Sequence, residues 1–392
     1  MTDPLPNPAR LDDDLPYADL AAAAAEQLPF ARERLRTYVL AESPSGDAAA
    51  LAACADLILR GHREVGGRTE RVPGPAGDHL VTRWGPDDGE HLMLLGHYDT
   101  VWPVGQLARM PYADDGTRIS GPGTYDMKGG LVVIEAALRT LAALDIPLAR
   151  QVRAVVVADE EVGSPDGGRV VREHLVGARA VLGFEPPHRR GILKTGRMGS
   201  TRVRLDVTGR EAHAALDPTR GVSAIDELLD QLAAIRALVP DDGTTLLNIG
   251  RIAGGTRTNV VAGHAEAELG LRFTDLDVER AVLAKIRALA PVRQDATVSV
   301  QLLSNRPAWT APDPNPLLDS VVAIAERLGQ RLGGRPATGA GDTNFTGAAG
   351  VPTLDGFGPD GAGAHAVHES ILVSSLVDRT ALLAAILASP TL

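Results

Sequence analysis

The pattern of apolar residues implies an α/β domain with a mainly parallel sheet, interrupted by an inserted α+β domain. Three observations lead there: unbroken apolar strands separated by helices up to residue 197, alternating strands over 198–307, and a proline-rich return to helix over 308–392. At 392 residues the chain exceeds the length at which one core usually stops growing, so roughly two domains are expected.

Taken in order, the first 20 residues, MTDPLPNPARLDDDLPYADL, are acidic and proline-rich and read as a mobile lead-in. They lack the basic start and apolar stretch of a secretory signal. ALAACADLILR is helix-like and carries Cys54, the only cysteine, which rules out disulfides within the chain and reads as a packed core thiol. HLMLLG (91–96), VRAVVVAD (152–159) and RAVLGF (179–184) are nearly continuous apolar runs, as parallel strands covered on both faces require. Between them, KGGLVVIEAALRTLAALDI has helical spacing after a glycine-rich start, and DGGRVVREHLVG is a shorter helix closed by Gly177.

From residue 198 the pattern changes. In STRVRLDVTG, Val203, Leu205 and Val207 alternate with Arg202, Arg204 and Asp206, and HAEAELGLRF repeats the alternation, which marks antiparallel strands with one wet face. With helices GVSAIDELLDQLAAIRALV and DVERAVLAKIRALA and strands TTLLNIGRI and ATVSVQLLS, the order is β-α-β-β-α-β, a ferredoxin-like insert. NRPAWTAPDPNP then links to the helix LLDSVVAIAERLG and the first domain resumes.

The formal net charge of -11, with no basic cluster to offset it, argues against nucleic-acid binding. No apolar stretch approaches the ~20 residues that cross a bilayer, so no membrane partner is expected and the expected location is cytoplasmic. A hydrophobic content of 44% and a charged content of 23% fit a folded enzyme better than a flexible scaffold.

Ligands of open α/β sheets bind beyond the carboxyl ends of the strands, and the polar residues there form a set. His97 and Asp99 follow the first apolar run, Asp159, Glu160 and Glu161 the second, and Glu185 the third; Asp126 closes the glycine loop GPGTYDMKGG, and His365 follows the short strand in VPTLDGFGPDGAGAHAVHE. Each has an ordinary reading alone, as a turn or a solvated edge. Together they concentrate carboxylates on one rim, which is costly unless cations neutralise them. Carboxylates with imidazoles and no thiolate suit zinc, with manganese or cobalt as substitutes. The set is too large for one tetrahedral ion and fits two ions sharing a carboxylate.

The motifs GHYDTV, GPGTYDMKGG, DEEVGS, GFEP, TGREAHAA and GAGAHAVHE, in this order over about residues 90 to 380, resemble the M20 metallopeptidases, most closely the glutamate carboxypeptidase-like branch. The resemblance implies a zinc-exopeptidase-like catalytic domain whose insert serves as lid and dimerisation domain. It implies two Zn2+ ions, with His97 and Glu185 on one, Glu161 and His365 on the other, and Asp126 bridging. Asp99 would orient His97, the Asp126–Met127 peptide would be cis, and Glu160 would be the general base, passing a proton from the attacking water to the leaving amine. His365 rather than His368 fits the family spacing of a histidine, three residues and an acid, here Glu369. His213 would reach into the partner's active site of a homodimer to stabilise the oxyanion, while Asn259 and Arg306 would grip the substrate, the arginine through a terminal carboxylate. Two departures, GAGDTNF where relatives commonly show a serine before the aspartate, and Ser223 where asparagine is more usual, fall near substrate and leave its side chain open.

The resulting expectation is a hydrolase that cleaves an amide next to a free carboxylate, as a carboxypeptidase acting on a small peptide and releasing an amino acid such as glutamate. An N-acyl or N-carbamoyl amino-acid amidohydrolase is the nearest alternative, and an inactive metal-bound binding module the remote one.

Overall fold

The computed structural model describes residues 15–87 and 89–391. These divide into two compact units: one runs to Gly196 and takes up Ala311–Ala337 and everything from Gly341, while the other comprises Arg197–Thr310 and Thr338–Ala340.

The first unit opens with helices α1 (Tyr17–Glu26), α2 (Leu28–Leu40) and α3 (Ala48–Glu64). The expected lead-in is therefore shorter than the sequence suggested, because α1 begins at Tyr17 and buries Leu20 completely; residues 1–14 lie outside the described residues. Asp47 caps α3, accepting from the Ala50 N–H at 3.0 Å. Cys54 is buried on that helix, as a core thiol should be. Strands β1 (Arg68–Val72), β2 (His79–Trp84) and β3 (His91–His97) follow, then α4 (Gly129–Ala143), β4 (Gln151–Val157), α5 (Gly167–His174) and β5 (Ala178–Gly183).

The second unit holds β6 (Gly199–Thr208), α6 (Ala224–Leu238), β7 (Thr245–Gly254), β8 (His264–Phe273), α7 (Leu276–Arg287) and β9 (Thr297–Arg306). Its sheet has the order β7-β8-β6-β9 with every neighbour antiparallel, the ferredoxin-like arrangement. Val203, Leu205 and Val207 pack inward with Ala265, Ala267, Leu269, Leu271 and Phe273 against Leu228 and Ile235 of α6 and Leu283 and Ile286 of α7. The intervening Arg202 and Arg204 face outward and pair with Glu268 and Glu266. Ser223 caps α6 through its hydroxyl, which accepts from the Asp226 N–H at 3.2 Å, a local role that serine fills as well as asparagine.

The chain closes with α8 (Pro316–Arg327), α9 (Thr343–Ala348), the two-residue β10 (Thr353–Leu354) and α10 (Val373–Ala388). The six-stranded sheet of the first unit has the order β1-β2-β4-β3-β5-β10. Four strands, β4, β3, β5 and β10, run parallel, and β1 and β2 add an antiparallel edge, so the sheet is mixed. The continuous apolar runs are explained by burial on both faces. Leu92 and Leu94 join the core with α1, α4 and α10, while Met93 and Leu95 join Val155, Val157, Val170, Val171 and Phe345 on the other side. β3 lies between β4 and β5, with the crossover from β3 to β4 through α4 on one face and that from β4 to β5 through α5 on the other, so the carboxyl end of β3, where His97 sits, is the place at which such sheets bind ligands.

His62 on α3 is fully buried, with Nδ1 2.8 Å from Thr82 Oγ1 and its ring edge-on to Trp84. Burial, with help from the Arg34 charge, lowers it from 6.5 to about 3. Below pH 6.5 the unfolded chain therefore binds a proton that the folded chain refuses, so stability falls with falling pH, by about 1.4 kcal/mol per pH unit down to about pH 3. In urea unfolding at pH 6.5 and 4.5, His62→Gln should lose about 2 to 3 kcal/mol less than the wild type between the two values. Equal losses would show that His62 is not the group responsible.

Candidate metal centre

Two close approaches build the site, one of a glycine to a side chain and one of a glycine to backbone. Met127 lies across the end of β3, where a Cβ on Gly96 would come within 2.5 Å of its Cε; a Cβ on Gly130 would meet the Phe184 carbonyl oxygen at 2.3 Å. These glycines let the turn Thr124–Lys128 and the first turn of α4 settle against the strand ends that carry His97 and Glu185. The peptide between Asp126 and Met127 is cis, as expected.

Asp126 stands at the centre. Its Oδ1 lies 3.2 Å from His97 Nε2, which is also 3.4 Å from Glu185 Oε1; its Oδ2 lies 3.4 Å from His365 Nε2, which is 3.0 Å from Glu161 Oε2. Two triads result, His97–Asp126–Glu185 and Asp126–Glu161–His365, each with one ligand atom per residue and all within 4.8 Å. His365 thus joins the cluster and its neighbour His368 does not. His365 has φ of 61°, a left-handed conformation uncommon outside glycine, held where the surrounding loop over-determines it.

Asp99 does more than face His97. The His97 Nδ1 lies 3.0 Å from the Asp99 carbonyl oxygen and 3.3 Å from its carboxylate, which fixes Nε2 toward Asp126. The same carboxylate accepts from the Ser45 hydroxyl at 2.6 Å and from the N–H groups of Glu160 and Glu161 at 3.1 Å each. One buried aspartate therefore positions both the imidazole and the turn Glu160–Val162. Asp159, by contrast, lies outside both triads and accepts from the N–H groups of Asp166 and Gly167 at the start of α5.

The charges are strongly interdependent. Burial alone would lower His97, yet Asp126, Asp99 and Glu185, with the nearby Glu160 charge, raise it well above its usual value. The bond to Asp126 lifts His365 to about 9 against its partial burial, with Glu161 and Glu160 adding to the lift. Burial pushes the Glu161 carboxyl up to about 8, while Asp126 is held below the usual carboxylate range because His365 and His97 outweigh its burial.

The donor set suits a divalent metal. It contains two imidazole nitrogens and three carboxylates without a thiolate, and Glu161 Oε1 is buried with no hydrogen-bond partner among the described residues. A third group, Asp206, His264 and Glu266, lies in the other unit. There Arg204 and Arg251 already balance the carboxylates.

The expected substrate residues fall in the second unit. His213 is exposed, its Nδ1 accepts from the N–H groups of Ala215 and Leu216, and it bridges to Val260 beside Asn259, whose carbonyl accepts from Ala214 N–H at 3.0 Å. The structure thus brings His213 and Asn259 together. Arg306 ends β9, half-buried, opposite Ser200.

Sequence reasoning missed Ser45, which sits in no motif, and Lys128, which was in plain view within DMKGG. The Lys128 ammonium is buried and donates to the carbonyl oxygens of Tyr38 and Ala41 at 3.0 and 2.8 Å, tying the end of α2 to the turn of Asp126.

The chain is similar to known proteins over most of its length. Carboxypeptidase G2 of Pseudomonas sp. (strain RS-16) is 29% identical over 377 residues, covering 93% of this chain and 90% of its own. Succinyl-diaminopimelate desuccinylase of Gluconacetobacter diazotrophicus is 30% identical over 390 residues, covering 94% and 98%. Among solved structures, aminopeptidase PepT of Bacillus cereus superposes with a TM-score of 0.71 at 22% identity, over 91% of this chain and 98% of that one. A dinuclear metal-binding peptidase of Bacillus subtilis does so with a TM-score of 0.69 at 17% identity, over 93% and 98%. Residues 93–389, which contain both triads, match the description of peptidase family M20/M25/M40. The chain belongs to that family and is a metal-dependent hydrolase.

Proposed function

We propose that the protein is a two-zinc hydrolase that cleaves an amide bond next to a free carboxylate, as a carboxypeptidase releasing a C-terminal amino acid such as glutamate. The observation that carries the two-ion hydrolase is the division of Asp126 between two triads, one oxygen to each, and the likeness to carboxypeptidase G2 supports the carboxypeptidase choice. His97 and Glu185 would hold one ion, Glu161 and His365 the other, with Asp126 on both. When bound, such a pair supplies Lewis acidity that lowers the pKa of water and polarises a carbonyl.

The remaining chemistry falls to the chain. Glu160 is buried beside the cluster without belonging to either triad, and its charge is felt by both His97 and His365. It takes one proton from the attacking water as the water oxygen bonds to the carbonyl carbon. It returns that proton to the amide nitrogen as the C–N bond breaks, so a carboxylic acid and an amine leave. Asp99 keeps this base in place by gripping its backbone N–H. On the family resemblance, His213 stabilises the oxyanion from the partner of a homodimer formed through the inserted domain, and Asn259 and Arg306 bind the substrate, the guanidinium pairing with its free carboxylate.

The desuccinylase likeness supports a second reading, removal of an acyl group from an amino acid, since one metal centre serves both reactions. A panel of N-blocked dipeptides and N-acyl or N-carbamoyl amino acids separates them. Chelator-sensitive release of one C-terminal amino acid across varied N-terminal partners is the expected result. Cleavage confined to acyl or carbamoyl substrates would replace the carboxypeptidase reading, and silence from metal-loaded protein would refute both.

A further inference from the structure

Glu369 lies four residues beyond His365, is fully buried and belongs to neither triad. Its carboxylate has four donors. Oε1 accepts from the N–H groups of Tyr125 at 2.9 Å and Asp126 at 3.0 Å; Oε2 accepts from the Gly123 N–H at 3.0 Å and the Trp102 indole N–H at 2.8 Å. Its own backbone is also engaged, donating to the Ala366 carbonyl oxygen and accepting from the Gly121 N–H.

These contacts join three segments that each carry an expected ligand. Gly123, Tyr125 and Asp126 form the turn that presents the shared carboxylate. Trp102 follows His97 and Asp99 in the loop leaving β3. Glu369 itself closes the loop that holds His365 in its left-handed conformation. The side chain of Asp126 must aim one oxygen at each triad, and its direction is set by the backbone to which it is attached. That backbone is not regular helix, with φ and ψ of -117° and 96° at Asp126, so its orientation depends on what holds its N–H groups.

We propose that Glu369 is a second positioning residue of the metal centre, beside Asp99: a buried carboxylate that binds no ion but fixes the turn of Asp126 against the loops of His97 and His365, so that one carboxylate serves two ions. The inference rests on reading the two triads as ion sites. It has a chemical consequence that a mere packing role lacks. A glutamine at 369 offers one acceptor oxygen and an NH2 group, and whichever way it turns the NH2 faces two N–H donors. The turn should rotate away, and because Asp126 serves both triads, both sites should suffer.

The experiment is competitive chelator titration of Zn2+ on the full-length wild type and Glu369→Gln, with visible spectra of the Co2+-loaded proteins and unfolding of the metal-free forms. The wild type should bind two ions. Glu369→Gln should bind both more weakly, by about 10- to 100-fold, the range typical of partners that orient metal ligands, and its Co2+ spectrum should change. Trp102→Phe removes one donor and leaves three, so it should give a few-fold loss in the same direction and serves as the test if Glu369→Gln does not fold. A folded Glu369→Gln with both affinities within about twofold of wild type and an unchanged spectrum overturns the proposal, as does an unaltered Trp102→Phe when Glu369→Gln is unfolded. A wild type that binds fewer than two ions overturns instead the reading of the triads on which it rests.

Discussion

Glu160→Gln should keep two bound ions and lose about 10²- to 10⁴-fold in turnover, the contribution expected of one positioned acid–base group and equivalent to about 3 to 5 kcal/mol of barrier. The ions stay because Glu160 supplies no atom to either triad. Fold and site geometry should stay because the backbone N–H groups of Glu160 and Glu161 both hold this turn to Asp99, and the substitution touches neither. The amide is nearly isosteric but cannot accept and return the proton. Metal content and steady-state kinetics on the best substrate, measured together, decide it. Near-normal turnover removes Glu160 from the mechanism, and loss of metal makes it a ligand instead.

Asp126→Ala should be the most damaging single change, because it removes the one side chain common to both triads. Both ions should be lost on dialysis, each weakened by more than the ~100-fold that an orienting partner costs, and activity should go with them. Glu185→Ala is the informative contrast. Glu185 belongs only to the triad of His97, so that variant should retain one ion on Glu161 and His365. Elemental analysis after dialysis reads both, and an Asp126→Ala protein that still holds two ions would remove its sharing role.

The parts of the fold that the sequence revealed are those where burial writes a periodicity. Met93 and Leu95 bury on one face of the sheet and Leu92 and Leu94 on the other, so the run is continuous; Val203, Leu205 and Val207 bury on one face only, so the run alternates. The elements that stayed hidden carry mixed signals. Helix α2, LPFARERLRTYVL, looks too polar for a core helix, yet Arg34 lies over the rings of Phe30 and Tyr38 and pairs with buried Glu135, so its charge is absorbed within the fold. The outer strand β1, RTERV, has little apolar content because nearly every residue is partly exposed.

The candidate site shows the same division. Residues that present a side chain at a strand end, such as His97 and Glu185, fall in short motifs and can be found by position. What a residue grips at a distance is not written there: Ser45, which sits in no motif, reaches Asp99 across 54 residues, and Glu369, whose place four residues after His365 is legible, gives no local sign that it reaches Gly123 across 246. Such partnerships arise from how loops approach one another, which no local pattern records. Asp159 shows the converse, since it shares a motif with Glu160 and Glu161 yet serves the start of α5.

The most direct measurement is anomalous diffraction at the zinc absorption edge from crystals of the zinc-loaded protein. Two peaks should flank the Asp126 carboxylate, one against His97 and Glu185 and the other against Glu161 and His365. A single peak, or zinc bound away from Asp126, would contradict the two-ion centre from which the proposed chemistry is built.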